Sequence, residues 1–95
     1  MRVRVELIGQ LREAAGCIQI VVDIENGSNL LDLIKALVKS YGARFEERVF
    51  IIGTASEVAE DLFMLLNGKI LSRDKASSTE LKENDTVVLM PEAII

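Results

Sequence analysis

A single amphipathic helix pattern in the middle of the chain limits the folds that this sequence can adopt. Apolar side chains recur at helical spacing from Leu30 to Tyr41, and they occupy one face only. Asn29 with Asp32 three residues later is typical of a helix N-terminus, and Gly42 is typical of a helix end. A lone helix with one apolar stripe has to bury that stripe against one face of a sheet. The flanking segments must therefore supply the sheet.

Two strands are predicted before this helix. Residues 2–7 alternate strictly between charged and apolar side chains, as in a half-buried strand. A polar connection between Gly9 and Gly16 leads to a second period-two run over residues 17–24. In this run Ile18, Ile20, Val22 and Ile24 point one way, while Gln19 and Asp23 point the other.

The remaining strands are predicted after the helix. Residues 43–50 indicate a short extra helix, and residues 51–61 carry no clear pattern. The apolar run 62–66 ends in Asn-Gly, which is the strongest short hairpin signal, and residues 69–71 form the return strand. Residues 72–84 are polar, with Leu81 as the single expected anchor. The last strand runs from Asp85 to Met90 and is expected to end at Pro91.

Size and composition indicate one domain over residues 1–95, because 95 residues with 49% hydrophobic content fill a single core. Fifteen acidic and eleven basic side chains give a net charge of −4, so nucleic acid is not an expected partner. Cys17 is the only cysteine and cannot form an internal disulfide. No apolar signal segment or membrane-spanning stretch is present, and we expect a cytoplasmic protein.

These elements predict an α+β protein in which a mixed sheet packs on one main helix and leaves its other face open. If Val87 and Leu89 face the helix, then Val88 and Met90 point outward. The hairpin strand then exposes either Phe63 and Leu65 or Met64 and Leu66, and alternation alone leaves both phases open.

Four stretches of the chain resemble the MoaD/ThiS sulfur carriers, which are ubiquitin-like β-grasp proteins. They are "VRVELIGQLREAAG" at residues 3–16, "NGSNLLDLIKALVKSYG" at residues 26–42, "LLNGK" at residues 65–69 and "LKENDTVVLMP" at residues 81–91. Together they cover most of the chain in the family's order. The combination of "LREAAG" with the terminal "NDTVVLMP" is similar to MoaD, the small subunit of molybdopterin synthase, more than to ThiS.

The resemblance implies a ubiquitin-like β-grasp fold and chemistry at the C-terminus in molybdenum cofactor biosynthesis. An E1-like (MoeB-type) partner would adenylate the terminal carboxylate with ATP and Mg²⁺, so this chain itself would bind no cofactor and no metal. Sulfur would then replace AMP, and a MoaE-like large subunit would receive the thiocarboxylate. The acceptor here would be the carboxylate of Ile95.

The same resemblance implies a surface for these partners. The phase of the family pattern selects Phe63 and Leu65 as outward-facing residues beside Val88 and Met90, with Arg2 and Arg4 at the rim. Such an apolar cluster is typical of a binding face. The partner-binding residues implied by the resemblance are Phe63, Leu65, Val88, Met90, Pro91, Glu92, Ala93 and Ile94, the last four forming an inserted arm with Ile95.

The end of the sequence departs from the family pattern, because it reads Ile94-Ile95 where members end in Gly-Gly. Isoleucine is stiff and crowds the carboxylate, so we expect impaired activation by an ordinary partner. The alternative is a non-catalytic β-grasp module that binds or regulates proteins, or a homo-oligomer that covers the open face.

Other candidate residues have simpler interpretations. Cys17 is predicted to be passive, since no histidine is present to activate it. Lys69 is read as a solvated turn residue. Glu57, Glu60 and Asp61 are read as a solvated acidic loop, because their spacing does not suit a metal site. The sequence shows no self-contained active site.

Overall fold

A computed structural model describes residues 1–51, 53–54 and 57–91, and it contains a five-stranded sheet with helices on one face. The strand order is β2-β1-β5-β3-β4. The central strands β1 and β5 are parallel, and the other neighbours are antiparallel. The sheet is therefore mixed, as predicted. The strands are β1 (Arg2–Leu7), β2 (Gln19–Asp23), β3 (Leu62–Leu66), β4 (Lys69–Leu71) and β5 (Thr86–Pro91).

The predicted main helix is α2 (Leu30–Tyr41), and its ends form as the sequence indicates. The backbone N–H of Asp32 donates to Asn29 Oδ1 at 2.8 Å, and the backbone N–H of Asn29 donates to Asp32 Oδ2 at 3.0 Å. This reciprocal pair satisfies two N–H groups that a helix start leaves free. Gly42 follows α2 with a φ of 84°, which is favourable for glycine.

The core lies between α2 and the central strands. Leu33, Ile34 and Leu37 of α2 are almost completely buried, together with residues from the helix-side faces of β1 and β5. The predicted extra helix is α3 (Ala43–Val49), which buries Phe45 and Val49 in the same core. The central strand residues in this core are Val3, Val5, Leu7, Val87 and Leu89.

Two short helices were not predicted. The connection between Gly9 and Gly16 contains α1 (Gln10–Ala15), and a 3₁₀ helix covers Arg73–Ser78 within the polar segment. Each buries one side chain, Leu11 in α1 and Ala76 in the 3₁₀ helix. A single buried residue produces no periodicity, so the pattern could not reveal these turns.

The boundaries of two strands also differ from prediction. The second strand covers Gln19–Asp23 rather than residues 17–24, and Ile18, which precedes it, is 55% exposed. The last strand runs from Thr86 to Pro91, so it starts one residue later and continues one residue further than predicted. Pro91 pairs opposite Leu62 and is buried, because the end of a strand can use a residue without an N–H donor.

We expect the Asn29→Ala variant to be less stable than the natural protein by about 1 kcal/mol, because it loses the helix cap. It also loses the hydrogen bond from Asn29 Nδ2 to the Ser77 carbonyl, which ties α2 to the 3₁₀ helix at 3.0 Å. Urea unfolding followed by circular dichroism measures the difference. Asn26→Ala, in the exposed turn before α2, is the control, and equal midpoints for the two variants would contradict this role of Asn29.

Candidate functional site

The sheet face opposite α2 carries an apolar cluster on β3, β4 and β5. Residues that pair across neighbouring strands lie on the same face of a sheet. Met90 pairs with Phe63, Val88 pairs with Leu65, and Leu65 pairs with Ile70. These five residues therefore form one continuous group, which we call the apolar sheet patch.

The burial of the β3 residues shows which of their side chains face outward with the patch. Met64 is fully buried on the helix side, whereas Phe63 and Leu65 are only half-buried. On β5, Val88 and Met90 are likewise half-buried, while Val87 and Leu89 are buried. The outward positions of Phe63, Leu65, Val88 and Met90 agree with the prediction, and their binding of a partner stays a prediction.

Ile70 is a patch residue that the sequence analysis missed. Its side chain is 67% exposed, and it lies opposite Leu65 on the short return strand. The signal was available, because the two-residue Asn67-Gly68 turn fixes which residues face each other across the hairpin. A three-residue strand is too short for its own alternation to show which face Ile70 occupies.

The rim of the patch on the β1 side has mixed charge. Glu6 is directly beside Val88 in the parallel register, and Arg4 is beside Thr86. The Gln19 amide donates to Glu6 Oε1 at 3.0 Å. The sequence predicted a rim of Arg2 and Arg4, whereas the β1 residue beside Val88 is the acid Glu6.

The start of β5 is fixed by the hairpin turn. The Thr86 N–H donates to Asn67 Oδ1 at 2.9 Å, and Asn67 Nδ2 donates to Asp85 Oδ1 at 3.0 Å. Asn67 and Gly68 have φ values of 50° and 86°, and both residues tolerate this region. These contacts hold β3, β4 and β5 in one register, so the five patch residues present a defined surface.

The described part of the segment between α3 and β3 does not extend over the open face. Its described residues lie on the helix side instead, because Val58 belongs to the core cluster. Ile51, Glu57 and Glu60 line a groove with Leu31 of α2. The described part of this segment therefore does not cover the patch.

β5 leads from the patch directly into the C-terminal residues. Met90 faces outward, whereas Pro91 is buried, so Pro91 belongs to the sheet and not to a free arm. The sequence prediction that the arm starts at Pro91 is wrong in this respect. Glu92, Ala93, Ile94 and Ile95, which were also assigned to the arm, lie outside the described residues.

Cys17 lies close to the only tyrosine of the chain. Its Sγ atom is 3.5 Å from Tyr41 Oη, and both side chains are half-buried at the edge of the core. Burial raises the pKa of Tyr41 to about 12, and the hydrogen bond and charge interaction with Cys17 add to this rise. This contact is at the end of α2, on the opposite side of the sheet from the patch.

The remaining candidate residues do not form a second site. Lys69 is exposed and pairs with Leu66, one position out of phase with the patch. Glu60 lies 3.5 Å from Arg73, and in the part of the chain that the structure describes no three acidic or cysteine side chains are arranged to hold a metal ion. Within the same residues, no helix has the length and apolar character needed to cross a membrane.

Comparisons with known proteins agree with this architecture. A sequence model of the ThiS family matches residues 5–92. Small archaeal modifier protein 1 (SAMP1) from Haloferax volcanii has a TM-score of 0.81 and 26% identity, with 96% of this chain and 94% of that chain covered. A putative molybdopterin converting factor subunit 1 from Pyrococcus furiosus has a TM-score of 0.74 and 27% identity, covering 96% of this chain and 97% of its own.

A more distant likeness concerns the fold alone. Urm1 from Trypanosoma brucei has a TM-score of 0.76 at 17% identity, with 95% of this chain and 90% of that chain covered. No curated protein sequence matches the chain. Together the structural likenesses confirm the predicted α+β, ubiquitin-like β-grasp fold.

We expect Cys17→Ala to lower the pKa of Tyr41 towards its ordinary value of 10.0, because two of the three causes of the rise are then absent. Burial remains, so the pKa stays above the ordinary value. Ultraviolet absorbance of tyrosinate during a pH titration measures it directly, since Tyr41 is the only tyrosine. Cys17→Ser, which keeps a small hydrogen-bonding group, is the control. An unchanged pKa in Cys17→Ala would contradict the contact.

The raised pKa of Tyr41 makes the stability of the folded protein depend on pH in the alkaline range. The folded pKa lies above the unfolded one, so the stabilisation from the neutral phenol is complete below pH 10 and is lost as the pH rises through about 12. Tyr41→Phe removes this loss, because phenylalanine does not titrate. If the free energy of unfolding falls equally in the natural protein and in Tyr41→Phe between pH 10 and about 12, the assignment of this loss to Tyr41 is contradicted.

Proposed function

The chain belongs to the ThiS family, and we propose from this premise that it is a MoaD-like sulfur carrier, the small subunit of a molybdopterin synthase in molybdenum cofactor biosynthesis. The observation that carries the proposal is the apolar sheet patch on β3, β4 and β5, because β5 continues from it into the C-terminal residues. A partner that docks on the patch would hold the start of the tail in a fixed position.

The patch contributes binding rather than catalysis. Its five side chains are Phe, Leu, Ile, Val and Met, which contain no nucleophile and no general base. Burying such a cluster in an interface provides affinity, and the register of β5 transmits the docked position to the tail. The reacting group in this proposal is the terminal carboxylate, for which Ile95 is the residue.

The proposed chemistry has three steps, all in partner enzymes. In an E1-like (MoeB-type) partner the carboxylate oxygen attacks the α-phosphorus of ATP, and pyrophosphate leaves. Hydrosulfide, the sulfur donor, then attacks the carbonyl carbon, AMP leaves, the S–H proton is lost, and a thiocarboxylate remains. A MoaE-like large subunit would accept the tail and transfer the sulfur. ATP and Mg²⁺ would belong to the activating partner, and we expect the protein to act in the cytoplasm.

A second candidate function is protein modification. It is favoured by the likeness to small archaeal modifier protein 1, which matches this chain with a TM-score of 0.81 at 26% identity. The same activated carbonyl would then bond to a lysine Nζ of another protein, with loss of AMP. The two functions share the docking and adenylation steps and differ in the acceptor.

Intact-protein mass spectrometry tests the proposal. The protein is incubated with the E1-like enzyme of the same genome, ATP, Mg²⁺ and a sulfur donor, beside a variant carrying Ile94→Gly and Ile95→Gly. We expect the protein to gain AMP or to exchange one oxygen for sulfur at its C-terminus, and the variant to react faster because glycine removes the crowding at the carbonyl. Transfer of that sulfur to a pterin precursor with the large subunit supports the synthase role, and a covalent bond to lysine supports the modifier role instead.

The result that would overturn the carrier proposal is a protein that binds its partner but gains neither AMP nor sulfur. The alternative of a non-catalytic β-grasp binding module would then account for the patch. The variant shows whether the assay works, because its reaction demonstrates an active enzyme and an intact docking surface.

We expect Val88→Glu to slow activation by roughly tenfold or more, because it places an uncompensated charge in the centre of the docked patch and beside Glu6. Ser40→Glu adds the same charge on the exposed side of α2, away from the sheet face, and is expected to leave the rate unchanged. The measurement is the initial rate of AMP transfer at several protein concentrations. Equal rates for the two variants would contradict docking through the patch.

A further inference from the structure

The strand β2 forms one edge of the sheet and directs a row of backbone groups away from it. The Leu7 N–H donates to the Ile18 carbonyl at 2.8 Å, and the Ile24 N–H donates to the Met1 carbonyl at 2.9 Å. Residues alternate between facing the neighbouring strand and facing away in an antiparallel pair. The N–H and C=O groups of Gln19, Val21 and Asp23 therefore point outward from the edge, and among the described residues none of these groups has a hydrogen-bond partner.

This edge has few of the features that usually prevent strand pairing, because Asp23 at its end is the single charged residue of β2. The β1–β2 ladder is regular over five pairs without a bulge, and β2 contains neither proline nor lysine. Three large apolar side chains are highly exposed within residues 1–51, 53–54 and 57–91, and two of them are at this edge: Ile18 at 55% and Val21 at 57%. An edge of this kind is a template for another strand.

We propose that β2 pairs with β2 of a second copy of this chain, antiparallel and centred on Val21, to form a symmetric dimer with a continuous ten-stranded sheet. In this register Val21 faces Val21 of the second copy, and Gln19 faces Asp23 of the second copy on either side. All three outward-pointing residues of each strand then form backbone hydrogen bonds. The interface is self-complementary, as a two-fold axis requires.

The side chains suit this register on both faces of the sheet. On the patch face, Gln19 uses one amide N–H for Glu6 at 3.0 Å and has a second to donate to Asp23 of the other copy. Asp23 already lies 3.5 Å from Arg2, so its charge has a partner within its own chain. The two-fold centre contains only the valine pair.

On the helix face, the register forms an apolar seam. Ile18 faces Ile24 of the second copy, and Ile20 faces Val22 of the second copy. Ile20, Val22 and Ile24 already pack against the core at their inner sides, so pairing extends the core across the seam and covers the exposed Ile18. Cross-strand pairs of β-branched residues are favourable.

Other registers are less complementary. A shift of two residues in one direction places Asp23 opposite Val21 and Glu25 opposite Gln19. A shift in the other direction places Gln19 opposite Val21 and Asp23 opposite Cys17. Both break the valine pair and leave part of the strand without a partner, so the register centred on Val21 is favoured.

The dimer is independent of the proposed carrier function, because β2 is at the opposite end of the sheet from β3 and β4. Pairing at β2 leaves both copies of the patch accessible. If the protein forms the dimer but shows no carrier activity, only the carrier proposal fails. If it shows carrier activity as a monomer, only the dimer proposal fails.

Sedimentation equilibrium of the full chain tests the dimer. We expect a concentration-dependent dimer that Val21→Lys weakens by roughly tenfold or more, because two like charges would face each other at the two-fold axis. Ile70→Lys is the matched control: it places the same charge at an exposed apolar position on the other edge strand, and the dimer should persist. A monomer at all concentrations, or a dimer that Val21→Lys does not weaken, overturns the proposal.

A cross-linking experiment tests the register itself. Facing hydrogen-bonded residues in an antiparallel pair have Cα atoms about 5.5 Å apart, within the range of a disulfide. In a Cys17→Ser background, Val21→Cys should therefore form a covalent dimer on mild oxidation, whereas Ile70→Cys should remain largely monomeric. Equal cross-linking of both variants, or none at Val21→Cys, would show that the two β2 strands do not meet as proposed.

Discussion

The apolar stripe of α2 lies against the helix-side residues of β1 and β5, and the rest of the structure depends on this contact. Leu33, Ile34 and Leu37 are almost fully buried in it, and each such side chain stabilises the fold by about 1.5–3 kcal/mol. The stripe covers one face of the sheet. Because side chains alternate along a strand, the burial of Val87 and Leu89 forces Val88 and Met90 to the other face.

The hairpin turn extends this constraint from one strand to a surface. Asn67 and Gly68 adopt the backbone conformation that a two-residue turn needs, and Asn67 also binds Thr86 and Asp85 at the start of β5. The register of β3 and β4 is thereby tied to that of β5. The apolar sheet patch is thus a consequence of core packing together with turn geometry.

The sequence predicted the parts of the fold that have strong periodicity or a specific turn. The main helix with its Asn29 cap, the short helix after it, and the Asn67-Gly68 hairpin were all predicted, because each has a local physical signal. The turns around Leu11 and Ala76 were missed, since one buried side chain per turn gives no pattern. Pro91 was read as a strand end and is instead its last buried residue, because its pairing with Leu62 is a long-range contact.

The candidate site was predictable to a similar degree. Alternation along the last strand predicted that Val88 and Met90 face outward. For the hairpin strand, alternation left two phases open, and the family resemblance was needed to choose Phe63 and Leu65 as the outward pair. Ile70 was found only from the strand register. The charge beside the patch comes from the parallel pairing of β1 with β5, which brings Glu6 next to Val88, and no local pattern specifies that pairing.

The central claim is that an activating partner docks on the patch, and amide hydrogen exchange of the full chain with and without the E1-like enzyme tests it most directly. The account predicts that protection on binding is concentrated in β3, β4 and β5, with little change in α2 and the 3₁₀ helix. Protection confined to the helix side of the sheet, with no change in the three patch strands, would contradict it.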